Sequence, residues 1–414
     1  MPTSYLKHYW CDNAGLLRAK VEPNGKPASS GIGIAYAEQA QCATHRNLAS
    51  GGNIGAIGDL TLIPDSKSYV KIPYFEKTFR VLGDMYENGS PWPLCPRHFL
   101  KRAIQDASEI GYEIHAAFEP EFYLFNDRSP TLSPIDQGLY SEAAHLDDLA
   151  EWMDFSLTSL EKQNVTPEGF HHESGPGQYE ISIRSADALK AADDIIVLRD
   201  TIRSISRKFG LAATFCPKPY QGLPGTGLHL NLSLWRGGHS CVASNADSQV
   251  ISKDAGHFIS GILEGIESAV AMTCPSFNSH QRLHPGNWAG TSAYWNYADR
   301  EAVIRVPRNG NRPITHLEFR ALDATANPYM ALASVIYLGL DGIFRKTGPI
   351  APTKVVRPFP KFRKSMRSLA THPALSKKLG PRLLKAYLAV RISDYEFASR
   401  LGEVERSKLF VTRY

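Results

Sequence analysis

The chain has 414 residues, 43% of them hydrophobic and 21% charged, with a formal net charge of +5. That is the composition of a globular protein with enough apolar mass for a large core, and it excludes a disordered or collagen-like chain. No run of about 18 uninterrupted apolar residues marks a transmembrane span, and the start MPTSYLKHYWCDNAG carries no signal-peptide pattern. Six scattered cysteines without a CxxC pair favour reduced thiols in a cytoplasm over a disulfide framework or a zinc site.

Taken in order, residues 1–92 read as a small α/β module, with apolar alternation over 59–73 and dense glycine over 51–58. The turn-rich segment Glu87–Pro96 sets a domain boundary, giving units of 1–92 and 93–414. From Arg97 to Ile110 an apolar stripe predicts a helix. It leads into GYEIHAAFEPEFYLF, Gly111 to Phe125, which alternates with period two. Tyr112, Ile114, Ala116, Phe118, Phe122 and Leu124 share one face of that strand. Glu119 and Glu121 lie on the other, two carboxylates that repel unless a cation sits between them.

Three further stretches repeat the device. Gln178 to Ile183 places Gln178, Glu180 and Ser182 on one face, and the preceding Gly-Pro-Gly turn folds Glu173 back beside Glu180. Leu228 to Leu234 aims four leucines at the core and His229, Asn231 and Ser233 away from it. In His316 to Arg320, His316, Glu318 and Arg320 share a face. Between the second and third, apolar residues from Ile195 to Phe209 step by three and four, a helix closed by Gly210.

Pooled, Glu119, Glu121, Glu173, Glu180, Glu318 and His229 are an oxygen-rich donor set, suited to Mg²⁺ or Mn²⁺ rather than zinc and too large for one ion. Arg282, Arg300, Arg305 and Arg320 supply the opposite charge. Metals and converging guanidiniums are what phosphoryl transfer from a nucleotide requires. There is no GxxxxGK[ST] loop and no GxGxxG, and the GxG at 225–227 allows close backbone approach to a ligand. Residues 341–414 hold 17 Lys and Arg against 5 Asp and Glu. Leu369, Leu375, Leu379, Leu383 and Leu384 punctuate this basic tail, which predicts amphipathic helices and not a nucleic-acid-binding arm.

EPEFYLF, HHESGPGQYEI, ATFCPKP, GTGLHLNLSLW, RLHPG, DREAVIRVP and HLEFRALDATANPYMALA resemble, in order and rough spacing, the motifs of the glutamine synthetase superfamily. The resemblance implies an α+β fold: a small β-grasp-like N-terminal domain and a large catalytic domain with a curved antiparallel sheet flanked by helices. It also implies a homo-oligomer, a dodecamer of two hexameric rings in which a neighbour's N-terminal domain completes each site. By the same resemblance Glu121, Glu173 and Glu180 match one metal position, and Glu119, His229 and Glu318 a second, for two or three Mg²⁺ or Mn²⁺ ions. Gly225, Arg282 and Arg320 match glutamate-binding positions; Asn231, Arg300 and Arg305 match the ATP and phosphate side. The implied chemistry is activation of glutamate as a γ-glutamyl phosphate and its capture by an amine. The partners are small molecules only, with no nucleic acid and no membrane.

The departures narrow this expectation. A flap glutamate of glutamine synthetases is replaced here by Trp288, and their N-terminal Asp-Gly-Ser-Ser loop by Ala49-Ser50-Gly51-Gly52, although Asp59 matches a second acid of that region. Pro224 stands where an asparagine is usual. Two missing acids point away from ammonium and toward a γ-glutamylamide product, with Trp288 against the amine's apolar body and Asp59 as a candidate base. An authentic glutamine synthetase and a non-catalytic ring-forming homologue are the alternatives.

Overall fold

Alternation in the first ninety residues produces strands, and they assemble into a mixed sheet in the order Leu17–Glu22, Tyr5–Cys11, Thr78–Glu87, Asp59–Pro64, Ile32–Ala35. Its central pair, Tyr5–Cys11 with Thr78–Glu87, is parallel, and the other neighbours on this path are antiparallel. The computed structural model describes residues 4–23, 25–126, 133–284, 289–290, 292–348, 352 and 359–414. Trp288 lies outside the described residues.

The helix predicted from Arg97 spans Pro96–Glu109, with proline in its first turn, where no backbone donor is lost. It delivers the chain to the strand Glu113–Phe125 at the centre of a second, curled sheet. The order there is Ser292–Tyr297, Ala302–Val306, Leu317–Phe319, Leu228–Arg236, Glu113–Phe125, Gln178–Ile183, Pro167–His172. The four polar-faced strands read from sequence are therefore contiguous. This sheet is antiparallel except for its edge pair Ser292–Tyr297 and Ala302–Val306, which runs parallel.

Helices cover the apolar face. Ala188–Lys208 starts on Asp187, whose carboxylate accepts the Lys190 amide, and is followed by Gly210 at φ +75°, the left-handed conformation expected of a closing glycine. Pro328–Arg345 is capped by Asn327 through the Tyr329 and Met330 amides. One apolar core runs from Tyr9 and Leu62 of the small sheet through Phe118 and Leu230 to Leu369 and Leu383. The basic tail forms the helices Phe362–Thr371, Pro373–Arg400 (kinked at Gly380) and Glu403–Arg413. Leu369, Leu375, Leu379 and Leu383 are buried and Leu384 is half-buried, as the amphipathic reading requires. No helix among the described residues is long and apolar enough to cross a membrane.

Candidate active site

Register turns the sequence alternation into a two-dimensional array. His229 pairs across the sheet with Glu119, Glu180 with Glu121, and Asn231 with Glu318, so side chains distant in sequence become cross-strand neighbours. The hairpin turn does the rest: Gly177 takes φ +67°, and the Glu173 amide donates to the Gln178 carbonyl at 2.7 Å. Glu173 and Glu180 thereby offer donor atoms within 4.8 Å of each other.

These groups line one cavity of about 780 Å³. Glu119, Glu121, Glu173, Glu180, His229 and Glu318 are all on its wall, and so are Gly225, Arg282, Arg300, Arg305 and Arg320. Asn231 is not among the lining residues; its side-chain amide donates to Glu119 at 2.8 Å. Asp59 is not on this wall; it is exposed at the start of the strand Asp59–Pro64 in the small sheet.

His229 Nδ1 lies 3.7 Å from Glu119 and from Glu318, and its Nε2 is 3.6 Å from Glu121. Arg305 donates to Glu318 at 2.6 Å, and Arg320 pairs with the other oxygen of the same carboxylate. Close-ligand geometry groups Glu119, Glu180 and His229, and separately His171, Glu173 and Glu180, with Glu180 common to both. His171, whose Nε2 bonds Glu173 at 3.0 Å, was not among the expected donors. The strand alternation extended back through HHE would have put it on the site face.

Protonation follows from this packing. Against the cost of burial, His229 and the Asn231 amide hold the Glu119 carboxyl at about 2. Against the same cost, Arg320, His229 and Arg305 keep Glu318 below the ordinary carboxylate range. Glu180 goes the other way: burial first, and then Glu119, Glu121 and Glu173, push it well above its ordinary value. Burial and Glu173 also raise Glu121. Among the described residues, no lysine or arginine pairs with Glu119, Glu121, Glu173 or Glu180. The donor set thus carries negative charge that the protein does not itself neutralise, and it consists of hard oxygens with imidazole. It fits divalent cations of the Mg²⁺ or Mn²⁺ type.

The glycines of the GTG motif have steric reasons. A Cβ on Gly225 would stand 2.5 Å from Arg282 Cγ, and one on Gly227 would stand 2.8 Å from His229 Nε2 and 2.9 Å from Glu121. Arg282 is buried and anchored by the Leu322 carbonyl at 3.1 Å. Gln178, placed on the site face by sequence but given no role, bridges Glu121 and the Gly225 carbonyl, at 3.0 Å each. Behind the wall, Asp136 accepts from the amides of Gly138 and Gly177, bonds the buried His172 at 2.9 Å, and accepts the Tyr179 hydroxyl. That network pins the hairpin carrying Glu173 and Glu180.

Residues 93–408 match the family described as glutamine synthetase, catalytic domain. The glutamine synthetase of Thermus thermophilus is 34% identical over 379 residues, 84% of either chain. That of Pyrococcus abyssi is 38% identical over 297 residues, covering 71% of this chain and 66% of that enzyme, just under two thirds of its length. The crystal structure of a novel glutamine synthase homolog superposes with a TM-score of 0.90 at 27% identity, covering 100% of this chain and 99% of that one. The apo form of GmaS shares the fold, with a TM-score of 0.85 at 24% identity, over 97% and 96% of the two chains.

Proposed function

The chain belongs to the glutamine synthetase family, and from that premise we propose that it is an ATP-dependent ligase joining the γ-carboxylate of glutamate to an amine, giving a γ-glutamylamide. The observation that carries the ligase reading is one cavity in which seven carboxylates, two imidazoles and four arginines converge. Divalent cations held by Glu119, Glu121, Glu173, Glu180, His229 and Glu318 would supply charge neutralisation at the phosphate oxygens. Arg282, Arg320 and the backbone at Gly225 orient glutamate. Arg300, Arg305 and Asn231 serve the phosphate side of ATP. A γ-carboxylate oxygen attacks the terminal phosphorus and ADP leaves; the amine nitrogen then attacks the acyl carbon and phosphate leaves.

The amine reading rests on the absence of an acid in Ala49-Ser50-Gly51-Gly52 and on Trp288 in place of a glutamate. Asp59, exposed on the small sheet, accepts the amine's proton at a neighbouring chain's site in a ring, and a tryptophan in place of the family's glutamate at position 288 suits an amine with an apolar body. Mass photometry of an active preparation should therefore show a ring, and an active 45.8 kDa monomer would exclude the neighbour's part. One observation favours an authentic glutamine synthetase: Asp299 and Glu301 line the cavity beside Arg300 and are acids of the kind an ammonium site needs. Phosphate release with glutamate fixed and a panel of amines plus ammonium separates the two. We expect at least one alkyl, aryl or polyamine to exceed ammonium in kcat/KM by about tenfold, or roughly 1.4 kcal/mol. Trp288→Glu should lower that preference. Equal use of ammonium and every amine would support the glutamine synthetase reading.

A further inference from the structure

A second cavity, of about 340 Å³, lies where the turn between Tyr5–Cys11 and Leu17–Glu22 meets the helix Ala188–Lys208 and the C-terminal segment. It shares no lining residue with the catalytic cavity. Arg18, Arg199, Arg203, Arg207 and Arg413 line it, against a single lining carboxylate, Asp200. Asp200 already accepts the Tyr9 hydroxyl at 2.7 Å, and Arg18 is paired at 2.6 Å with the buried Asp12 behind it. Five guanidiniums against these two carboxylates leave an excess of three positive charges.

Helix periodicity makes the excess specific. Arg199, Arg203 and Arg207 follow at i, i+4 and i+8, so like charges stack on one helix face, an arrangement that opposes helix formation. Among the described residues none of these three, nor Arg413, forms an ion pair. Their own-chain acceptors are few: Arg203 donates to the Thr412 and Arg413 carbonyls at 2.8 and 3.0 Å, Arg199 to Gly15 at 3.4 Å, and Arg207 to Ser204 at 3.3 Å. A guanidinium has five N–H donors, so most of this donor capacity is unspent. Burial, with Arg199 and Arg207 next to it, lowers Arg203 to about 10, which an anion in the cavity would reverse.

We propose that this cavity is a binding site for a compact polyanion, a small molecule with two or more phosphate or carboxylate groups. Guanidiniums recognise both groups bidentately, and the volume suits a small molecule. Because the ligand would bridge the small sheet, the helix and the C-terminal segment, its binding should also stabilise the fold.

Calorimetry and thermal unfolding on the full chain test this, with protein and buffers passed over a chelating resin and no soluble chelator present, so that metal-dependent binding in the cavity of the proposed active site is silent. Pyrophosphate and citrate are the probes, with sodium chloride at matched ionic strength as the reference. The expected result is saturable binding of one anion per chain with a rise in Tm. Arg207→Gln with Arg413→Gln, two exposed positions, should weaken it at least tenfold, and Lys377→Gln should leave it unchanged. Binding of pyrophosphate alone identifies a phosphate ligand, and of citrate alone a polycarboxylate; either supports the proposal. No binding above the salt reference, or binding unchanged in the double variant, overturns it. So does a loss of assembly in the double variant without anion binding, since the arginines would then serve a neighbouring copy.

Discussion

Two clusters of buried and half-buried carboxylates are balanced in opposite ways. At the junction of the two sheets, Arg97 donates bidentately to Asp193 at 2.7 and 3.0 Å, to Asp65 at 2.7 Å and to Asp84 at 3.0 Å, and Lys101 also pairs with Asp84. Burial alone would depress Arg97, but Asp193 and its companions hold it well above its ordinary value. In the candidate active-site cavity, Arg305 and Arg320 both pair with Glu318, and the other four glutamates have only neutral groups and imidazoles as partners among the described residues. A buried charge is tolerated when paired and costly when not. In the first cluster every carboxylate has a cation of the chain as partner, which makes it a structural clamp; in the second, four carboxylates have no lysine or arginine partner among the described residues.

The difference can be broken from either side. The largest effect should come from Glu121→Ala or Glu180→Ala. Turnover should fall by about a thousandfold, equivalent to roughly 4 kcal/mol, as a cation ligand is lost. The metal-free fold should hold its Tm, because removing one of several repelling carboxylates relieves the cluster. Full turnover, or a collapsed melting curve, would contradict this. Next is Arg97→Met, which strands Asp65 and Asp193 and leaves Asp84 to Lys101, and should cost about 3 kcal/mol in chemical denaturation. Arg97 holds Asp65 below its ordinary carboxylate range, against the cost of burial, so that part of the clamp is fully present above about pH 4. It is lost as pH falls through the depressed value. The penalty of Arg97→Met should accordingly shrink in acid; a penalty independent of pH would show that Asp65 takes no part.

Much of the candidate site's face was legible because period two is a local property. Glu119, Glu121, Glu180, His229 and Glu318 could each be assigned to the polar side of a strand without knowing which strand was next to which, and the structure sets those strands side by side. The clamp was not legible, since Arg97 and Asp193 are 96 residues apart and no periodicity links them. Asp136 escaped for the same reason: its value lies in reaching His172 and Tyr179 on another segment. His171, which pairs across the sheet with Glu180, was within reach of the same alternation, two residues back from the recognised Glu173. The parallel edge pair Ser292–Tyr297 and Ala302–Val306 departs from the antiparallel expectation in a region where the sequence reading had marked arginines and no strands.

The measurement that bears most directly on the uncompensated cavity is titration of chelator-treated protein with Mn²⁺, followed by electron paramagnetic resonance and by Tm. Binding of at least two ions per chain is predicted, with a saturable rise in Tm, and with both reduced in Glu180→Gln, whose carboxylate is common to the two ligand groups. Fewer than one ion per chain with no change in Tm, or binding indifferent to Glu180→Gln, would contradict the account.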